Sequence, residues 1–306
     1  MLTLISRQRV MALLFALFYA VAFAFPVHAV AAPIDKAGAA VGRSRFAKLE
    51  GMRVHYVDAG RGDEALVFVH GWTCNQSFWR WQTPAFASRR RVIALDLPGH
   101  GESDKPQGIA YTMDLFARAI DATLKDAEVK RAVLVGHSMG TPVVRQFYRR
   151  FPDKTMALVI VDGSLRLFAP RAQMEQFVAP LRGANFKEAM PRMLEGMLQP
   201  VQSETLRAEI KTAMLLTPQH VTVSAMDGMM DEALFAEDQI KVPVLAVLAR
   251  SPFWPPDNEQ FFRQIAPDLD YRMWDGVSHF LMMDKPDEFN RTLADFLARR
   301  KLLLRK

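Results

Sequence analysis

The sequence predicts an α/β fold in which a mostly parallel sheet is flanked by helices. Three observations support this prediction. Short apolar runs alternate with amphipathic segments from Val41 onward, and such alternation is typical of strand–helix–strand units. The apolar runs are unbroken, as expected for strands that are buried on both faces. The chain of 306 residues is 50% hydrophobic and 24% charged, which excludes a disordered chain.

The first 29 residues are predicted to be a cleavable export signal of the bacterial type. Arg7 and Arg9 precede an apolar run from Val10 to Phe25, and small residues follow it. The run is slightly short for a relaxed membrane span, so we expect cleavage, with an uncleaved membrane anchor as the lesser alternative. The mature protein is then periplasmic or secreted, with residues 30–42 as a linker and no stable membrane span.

Charge and cysteine content exclude further classes. The net charge of +6 falls to +4 once Arg7 and Arg9 are removed, and no long block of Lys and Arg is present, so nucleic-acid binding is not expected. A single Cys can form neither an internal disulfide nor a Cys-based zinc site.

Residues 43–164 are predicted to form the first part of the core. Gly51 separates two strand-like segments, which predicts an opening hairpin. A helix is predicted over residues 112–125, where apolar side chains recur at helical spacing, and another over residues 141–150. The predicted strands are Arg45–Glu50, Met52–Val57, Ala65–Val69, Arg91–Leu95, Ala132–Val135 and Leu158–Val161.

Residues 165–240 interrupt this alternation and are predicted to form a helical cap. They contain helical segments, no convincing strand, and eight of the 17 Met residues. Flexible Met side chains suit a deformable apolar pocket over the carboxyl ends of the strands. For any single Met, packing inside the cap's own core is the favoured interpretation. The eight are Met174, Met190, Met193, Met197, Met214, Met226, Met229 and Met230.

Residues 241–306 return to the core pattern and are predicted to complete the same sheet. The predicted elements are the strands Val244–Leu248 and Tyr271–Trp274 and the helices Glu259–Ile265 and Glu288–Leu297.

The strongest chemical signal is Gly-His-Ser-Met-Gly at positions 136–140. It stands between a predicted strand and a predicted helix, which is the setting that a nucleophile elbow requires. Gly136 and Gly140 allow the tight turn that exposes Ser138 at the strand end. Ser138 is therefore the candidate nucleophile.

A serine needs a base to become a nucleophile, and His279 is the best candidate. It follows the last predicted strand and precedes the final helix, so its loop returns to the sheet edge that carries Ser138. His70 and His100 lie in turns flanked by glycine, where structural hydrogen bonds are expected. His137 lies within the elbow and is predicted to point away from Ser138.

Four motifs together resemble the α/β-hydrolase fold superfamily, in its capped, esterase-like branch. They are His-Gly-Trp at 70–72, Asp-Leu-Pro-Gly-His-Gly-Glu-Ser-Asp at 96–104, the elbow at 136–140, and Gly-Val-Ser-His at 276–279. The resemblance implies an eight-stranded sheet, a cap after the sixth strand and a Ser–acid–His triad. It also implies an oxyanion hole formed by the backbone N–H groups of Trp72 and Met139. The stretch 96–104 is usually structural in this superfamily.

The sequence departs from the pattern of most relatives at the acidic residue of the triad. They carry it after the seventh strand, where this chain has Ser251 or Pro252. Two substitutes remain: Asp162, which ends the sixth predicted strand, and Asp257, which lies in a Pro-rich loop. We favour Asp162, because a strand end positions a carboxylate better than a residue beyond two prolines.

The resulting prediction is a serine hydrolase that cleaves a small to medium, largely apolar carboxylic ester or lactone, without metal or organic cofactor. The same parts serve amidases, perhydrolases and carbon–carbon bond hydrolases, and a ligand receptor with little turnover is a further alternative. Epoxide hydrolases and haloalkane dehalogenases are disfavoured, because they have Asp where Ser138 stands. Oligomeric state is not predicted.

Overall fold

The computed structural model describes residues 42–167 and 169–304. The predicted signal, residues 1–29, and residues 30–41 of the predicted linker lie outside the described residues. Within the described part of the chain, no helix combines the length and the apolarity that crossing a membrane requires.

One sheet of eight strands forms the centre of the fold, in the order β1-β2-β4-β3-β5-β6-β7-β8. The pairs β1–β2 and β2–β4 are antiparallel, and all the others are parallel. The predicted α/β class is therefore confirmed. The strands are β1 Arg43–Leu49, β2 Met52–Ala59, β3 Glu64–Val69, β4 Arg91–Leu95, β5 Arg131–His137, β6 Thr155–Val161, β7 Val244–Ala249 and β8 Leu269–Trp274.

Helices of the core flank the sheet and connect its parallel strands. The helices before the cap region are α1 Gln82–Ala87, α2 Met113–Asp126 and α3 Gly140–Arg150. Those after β7 are α8 Asn258–Ile265, α9 Leu281–Asp284 and α10 Pro286–Arg299. Between β6 and β7 lie α4 Arg171–Arg182, α5 Phe186–Leu198, α6 Glu204–Leu215 and α7 Gln219–Met229.

Local sequence explains where α2 and α3 begin. The hydroxyl of Thr112 accepts a hydrogen bond from the Leu115 N–H and so caps α2. Pro142 lies in the first turn of α3, where its missing N–H costs no helical hydrogen bond. The central strands β3 to β7 are almost wholly buried, as their unbroken apolar sequences predict.

The insertion, which we define as residues 165–240, is joined to the core at both of its ends by one buried arginine. Arg145, on α3, donates from Nη1 to the Leu165 carbonyl at 2.9 Å. Its other terminal nitrogen donates to the carbonyls of Ala236 and Asp238. A guanidinium can serve several acceptors in a fixed geometry, so α3 holds the entry and the exit of the insertion together.

The Met side chains of the insertion are buried or partly buried in the single apolar cluster that also contains the core of the sheet. Five of the eight are buried, and the other three are partly buried against the same apolar cluster. The buried ones are Met174, Met190, Met214, Met226 and Met230.

A substitution at Gly136 tests the close packing between β5 and α3. A Cβ at Gly136 would lie 2.4 Å from the Gly140 carbonyl oxygen, so Gly136→Ala forces the backbone apart. We expect a loss of about 1–3 kcal/mol in the free energy of unfolding, measured by urea denaturation. The control is Gly196→Ala in α5, where nothing lies within 4 Å, and where alanine should add about 0.5–1 kcal/mol. Equal stability of the two variants would contradict this packing.

Candidate active site

Ser138 lies on a strained turn between β5 and α3. Its φ of 53° is in the left-handed region, which non-glycine residues rarely adopt. Two hydrogen bonds hold the turn: Ser138 N–H donates to the Val161 carbonyl at 3.0 Å, and Thr141 N–H donates to the Ser138 carbonyl at 2.9 Å. The serine is therefore presented at the carboxyl edge of the sheet, partly accessible, in the geometry of a nucleophile elbow.

The structure brings His279 and Asp162 together. The Nδ1 atom of His279 lies 2.6 Å from Oδ2 of Asp162. Because a carboxylate only accepts hydrogen bonds, this contact places a proton on Nδ1 and leaves Nε2 available as a base. The His279 ring centroid lies 4.7 Å from that of His137, the residue before Ser138. Serine, imidazole and carboxylate thus share one edge of the sheet.

Backbone groups of β7 hold Asp162 in place. Oδ1 of Asp162 accepts a hydrogen bond from the Ala249 N–H at 2.7 Å, and the Asp162 N–H donates to the Val247 carbonyl at 2.9 Å. Asp162 is buried and has a φ of 44°, so this aspartate too is strained. The end of β7 thus orients a carboxylate that stands at the end of β6.

Asp257, the other candidate acid, is engaged elsewhere. Its carboxylate pairs with the guanidinium of Arg166, with Nη1 and Oδ2 3.0 Å apart. The side chain is 57% exposed, and its pKa is lowered by the hydrogen bond from Arg166. It therefore has a partner of its own and no contact with His279.

Sequence reasoning gave His137 no role, yet it holds the backbone of the candidate base. Its Nε2 donates to the His279 carbonyl at 2.8 Å, while its Nδ1 is buried without a partner among the described residues. Burial, together with the nearby His279, holds the pKa of His137 well below its ordinary value, so the ring stays neutral. The contact joins residues far apart in the chain, so no local pattern could have indicated it.

Trp72 and Met139, whose backbone N–H groups are the predicted oxyanion donors, lie beside the elbow and within it, respectively. A Cβ on Gly71 would lie 3.1 Å from Cβ of Ser138, so the residue before Trp72 packs directly on the elbow. Met139 immediately precedes α3, whose first N–H groups lack helical partners. Among the described residues, neither the Trp72 nor the Met139 N–H has a hydrogen-bond acceptor.

The other core histidines are structural. His70 donates from Nδ1 to the Gly71 carbonyl at 2.8 Å and accepts from the Leu97 N–H at 3.0 Å. His100 contacts the Pro98 carbonyl at 3.0 Å. Asp96 accepts from His55 and from the N–H groups of Gln76 and Glu102. The stretch 96–104 therefore supports the neighbouring loops, as expected.

Two further observations describe the surroundings of the site. Within the described ranges, no group of three or more His, Cys, Asp or Glu side chains could hold a metal ion.

Beyond β7, Phe253 is 74% exposed, and the Trp254 indole donates to the Ala249 carbonyl at 2.9 Å. Trp254 is thereby fixed beside the β7 end that holds Asp162.

Comparison with known families decides the classification of the chain. Residues 66–292 match the sequence profile of a family described as the alpha/beta hydrolase family. The chain belongs to this family. The matched range begins in β3 and ends in α10, so it includes the elbow, the insertion and the loop of His279.

Relatives of this alpha/beta hydrolase differ in the reactions that their names give. A 2-hydroxy-6-oxononadienedioate/2-hydroxy-6-oxononatrienedioate hydrolase of Paraburkholderia phymatum is 27% identical, over 80% of this chain and 91% of that protein. Epoxide hydrolase 3 of Mus musculus is 34% identical over 38% of this chain. The matched part spans only 32% of the mouse protein's length.

A solved structure extends the comparison to a lactone-degrading enzyme. Est816, described as an N-acyl homoserine lactone degrading enzyme, has a TM-score of 0.70 and 26% identity. The match covers 82% of this chain and all of Est816. Relatives of this alpha/beta hydrolase therefore support hydrolysis and leave the bond type to be decided at the site.

The buried histidines predict acid sensitivity. Burial lowers the pKa of His70 and His137, and lowers the pKa of His100 to about 3. Below the unfolded value of about 6.5, the unfolded chain binds protons that the folded chain does not, so stability falls as pH falls. Each such histidine contributes at most about 1.4 kcal/mol per pH unit.

His100→Gln tests this through the slope of unfolding free energy against pH, from urea titrations between pH 6.5 and 5.0. Removing one titrating group should lower the slope by an amount equivalent to the uptake of up to about one proton on unfolding. A variant whose slope equals that of the natural protein would show that His100 is not held neutral.

Proposed function

We propose that this hydrolase cleaves a carboxylic ester or lactone through an acyl-enzyme intermediate formed on Ser138. The observation that carries the proposal is the 2.6 Å contact between His279 Nδ1 and Asp162 Oδ2, beside a serine on a strained elbow. A base oriented by a carboxylate, next to a presented serine, is the arrangement that activates a hydroxyl nucleophile. Asp162 is the acid of this triad.

The chemistry proceeds in two halves. Ser138 Oγ attacks the substrate carbonyl carbon while His279 takes the hydroxyl proton, and the N–H groups of Trp72 and Met139 stabilise the oxyanion. The bond between the carbonyl carbon and the alkoxy oxygen then breaks, and the alcohol leaves with the proton from His279. Water, deprotonated by His279, then attacks the acyl carbon. The bond between that carbon and Ser138 Oγ breaks, Oγ takes the proton from His279, and the carboxylic acid product leaves.

Ser138 also argues against the epoxide reaction named for some relatives. Epoxide hydrolases of this fold have Asp at the elbow position, and a serine ester differs from the aspartyl ester that those enzymes form. Est816, the lactone-degrading relative, is similar over all of its length. A lactone is an internal ester, so the same steps open it, and the alcohol remains attached to the acyl group.

A second candidate is the cleavage of a carbon–carbon bond beside a carbonyl. It is favoured by the relative from Paraburkholderia phymatum, which matches 80% of this chain. Both candidates use the same triad, and ester and lactone cleavage remains our proposal because Est816, which is 26% identical, matches this chain over all of its own length. A panel of aryl esters, lactones, amides and a 2-hydroxy-6-oxo diacid distinguishes the two: exclusive turnover of the diacid would favour the second candidate.

The triad assignment predicts a graded series of variants. With short p-nitrophenyl esters, Ser138→Ala should lower kcat at least about 1,000-fold, because the whole covalent route is lost. Asp162→Asn should lower kcat on the order of 1,000-fold, because the amide no longer fixes the imidazole tautomer. Asp257→Asn is the matched control and should stay within about twofold.

Circular dichroism and thermal unfolding confirm that each variant is folded. If Ser138→Ala retains its activity, the nucleophile is wrong. If Asp257→Asn loses activity and Asp162→Asn does not, the assignment of Asp162 as the triad acid is wrong, and the assignment of Ser138 as the nucleophile is unaffected.

We also propose export, with removal of residues 1–29. Production of the full chain in a bacterial host should yield a periplasmic or extracellular protein that begins near residue 30, as N-terminal sequencing would show. Replacing Arg7 and Arg9 with Glu should reduce export, because a signal needs a basic start. A full-length protein confined to the membrane fraction would favour the anchor instead.

A further inference from the structure

The loop that carries one oxyanion donor contains a strained and buried threonine. Thr73 directly follows Trp72 and has a φ of 56°, which is a marked departure for a β-branched residue. It is fully buried, and its hydroxyl has no hydrogen-bond partner within the described residues. Such backbone strain persists only when the surroundings enforce it, so the contacts of this loop determine the position of the Trp72 N–H.

Two hydrogen bonds between this loop and the insertion hold the loop in place. The indole Nε1 of Trp72 donates to the Thr222 carbonyl at 2.8 Å. The hydroxyl of Thr217 donates to the Thr73 carbonyl at 3.1 Å. Trp72, Thr73, Thr217 and Thr222 are all buried, so water does not compete for these bonds. Both hold adjacent residues of the loop, one on each side of the peptide that joins Trp72 to Thr73.

Helix α7 of the insertion, which carries Thr222 and begins two residues after Thr217, is itself fixed to the core at other points. On α7, the Ser224 hydroxyl accepts from the Tyr111 N–H at 2.9 Å. A Cβ on Gly99 would lie 2.5 Å from a methyl group of Val221, so α7 also packs tightly on the loop after β4. Val221 thus packs α7 on the core beside Thr222, whereas the Ser224 bond lies outside the contact with the strained loop.

We propose that the insertion positions the oxyanion hole. Thr217 and the Thr222 carbonyl hold the Trp72–Thr73 peptide in its strained conformation, so that the Trp72 N–H faces the carbonyl oxygen of a substrate bound at Ser138. Trp72, through its indole, and Thr217 are positioning residues for the reaction. The inference depends on the proposed acyl transfer. It adds that the inserted segment 165–240 contributes to the chemical step itself, besides any role in covering substrate.

This role has a distinct kinetic signature. An oxyanion donor stabilises the transition state more than the ground state, so its displacement lowers kcat and leaves KM nearly unchanged. Removing one such donor outright costs about 100- to 1,000-fold in kcat. Loosening the loop should cost about 10- to 100-fold, since the N–H remains present but is less well placed.

The experiment compares Thr217→Val, Thr217→Ser and Trp72→Phe with Ser224→Ala. Thr217→Val keeps the shape and removes the hydroxyl, and we expect kcat for a p-nitrophenyl ester to fall about 10-fold or more with KM within about twofold. Thr217→Ser keeps the hydroxyl donor and should keep kcat near that of the natural protein. Trp72→Phe removes the indole N–H and should show the same loss. Ser224→Ala removes a bond between α7 and the core outside the loop, and should lower thermal stability without lowering kcat.

A second readout separates positioning from folding. Binding of a boronic acid, which forms a tetrahedral adduct with an active-site serine, should weaken in proportion to the loss of kcat/KM in Thr217→Val. Binding of the carboxylic acid product should not change.

The proposal is overturned if Thr217→Val and Trp72→Phe keep kcat within twofold, or if Ser224→Ala loses as much kcat as they do. Failure of the acyl-transfer proposal is distinguishable, because Ser138→Ala would then keep its activity in the same assay.

Discussion

The hydrogen bond between the Asp162 carboxylate and His279 Nδ1 is the interaction on which the rest of the site depends. It joins the end of β6 to the loop after β8, and it forms only because the parallel strands deliver their carboxyl ends to one edge of the sheet. It also places a proton on Nδ1 of His279 and leaves Nε2 available, as the proposed base role requires. His137 completes the arrangement by holding the His279 carbonyl.

The site gathers backbone strain that the surrounding packing must sustain. Ser138, Asp162 and Thr73 all have positive φ, and all three lie at the carboxyl ends of neighbouring strands or in the loop beside them. Gly136 and Gly163 provide the close approach that these turns need: a Cβ on either would overlap with atoms of the elbow or of α3. The buried central strands β3 to β7 sustain such strain, so we expect a change that loosens their packing to disturb these turns as well.

The sequence predicted the fold closely because its central strands β3 to β7 are almost wholly buried and thus have unbroken apolar sequences. It indicated Ser138 and His279 as candidate site residues because a tight turn and a strand-end loop leave local signatures. Asp162 was the favoured acid on position alone, and the structure places it beside His279. The role of His137 could not be predicted, since a contact between distant residues has no local signature. The same holds for the bonds from Thr217 and Thr222 to the Trp72 loop.

Fluorophosphonate labelling followed by peptide mass spectrometry tests the central claim, nucleophilic catalysis by Ser138, most directly. The reagent reacts with serines that are activated by a neighbouring base. We expect one adduct per chain, on the peptide that contains Ser138, and its complete loss in Ser138→Ala. Labelling at another serine, or no labelling of the folded protein, would contradict it.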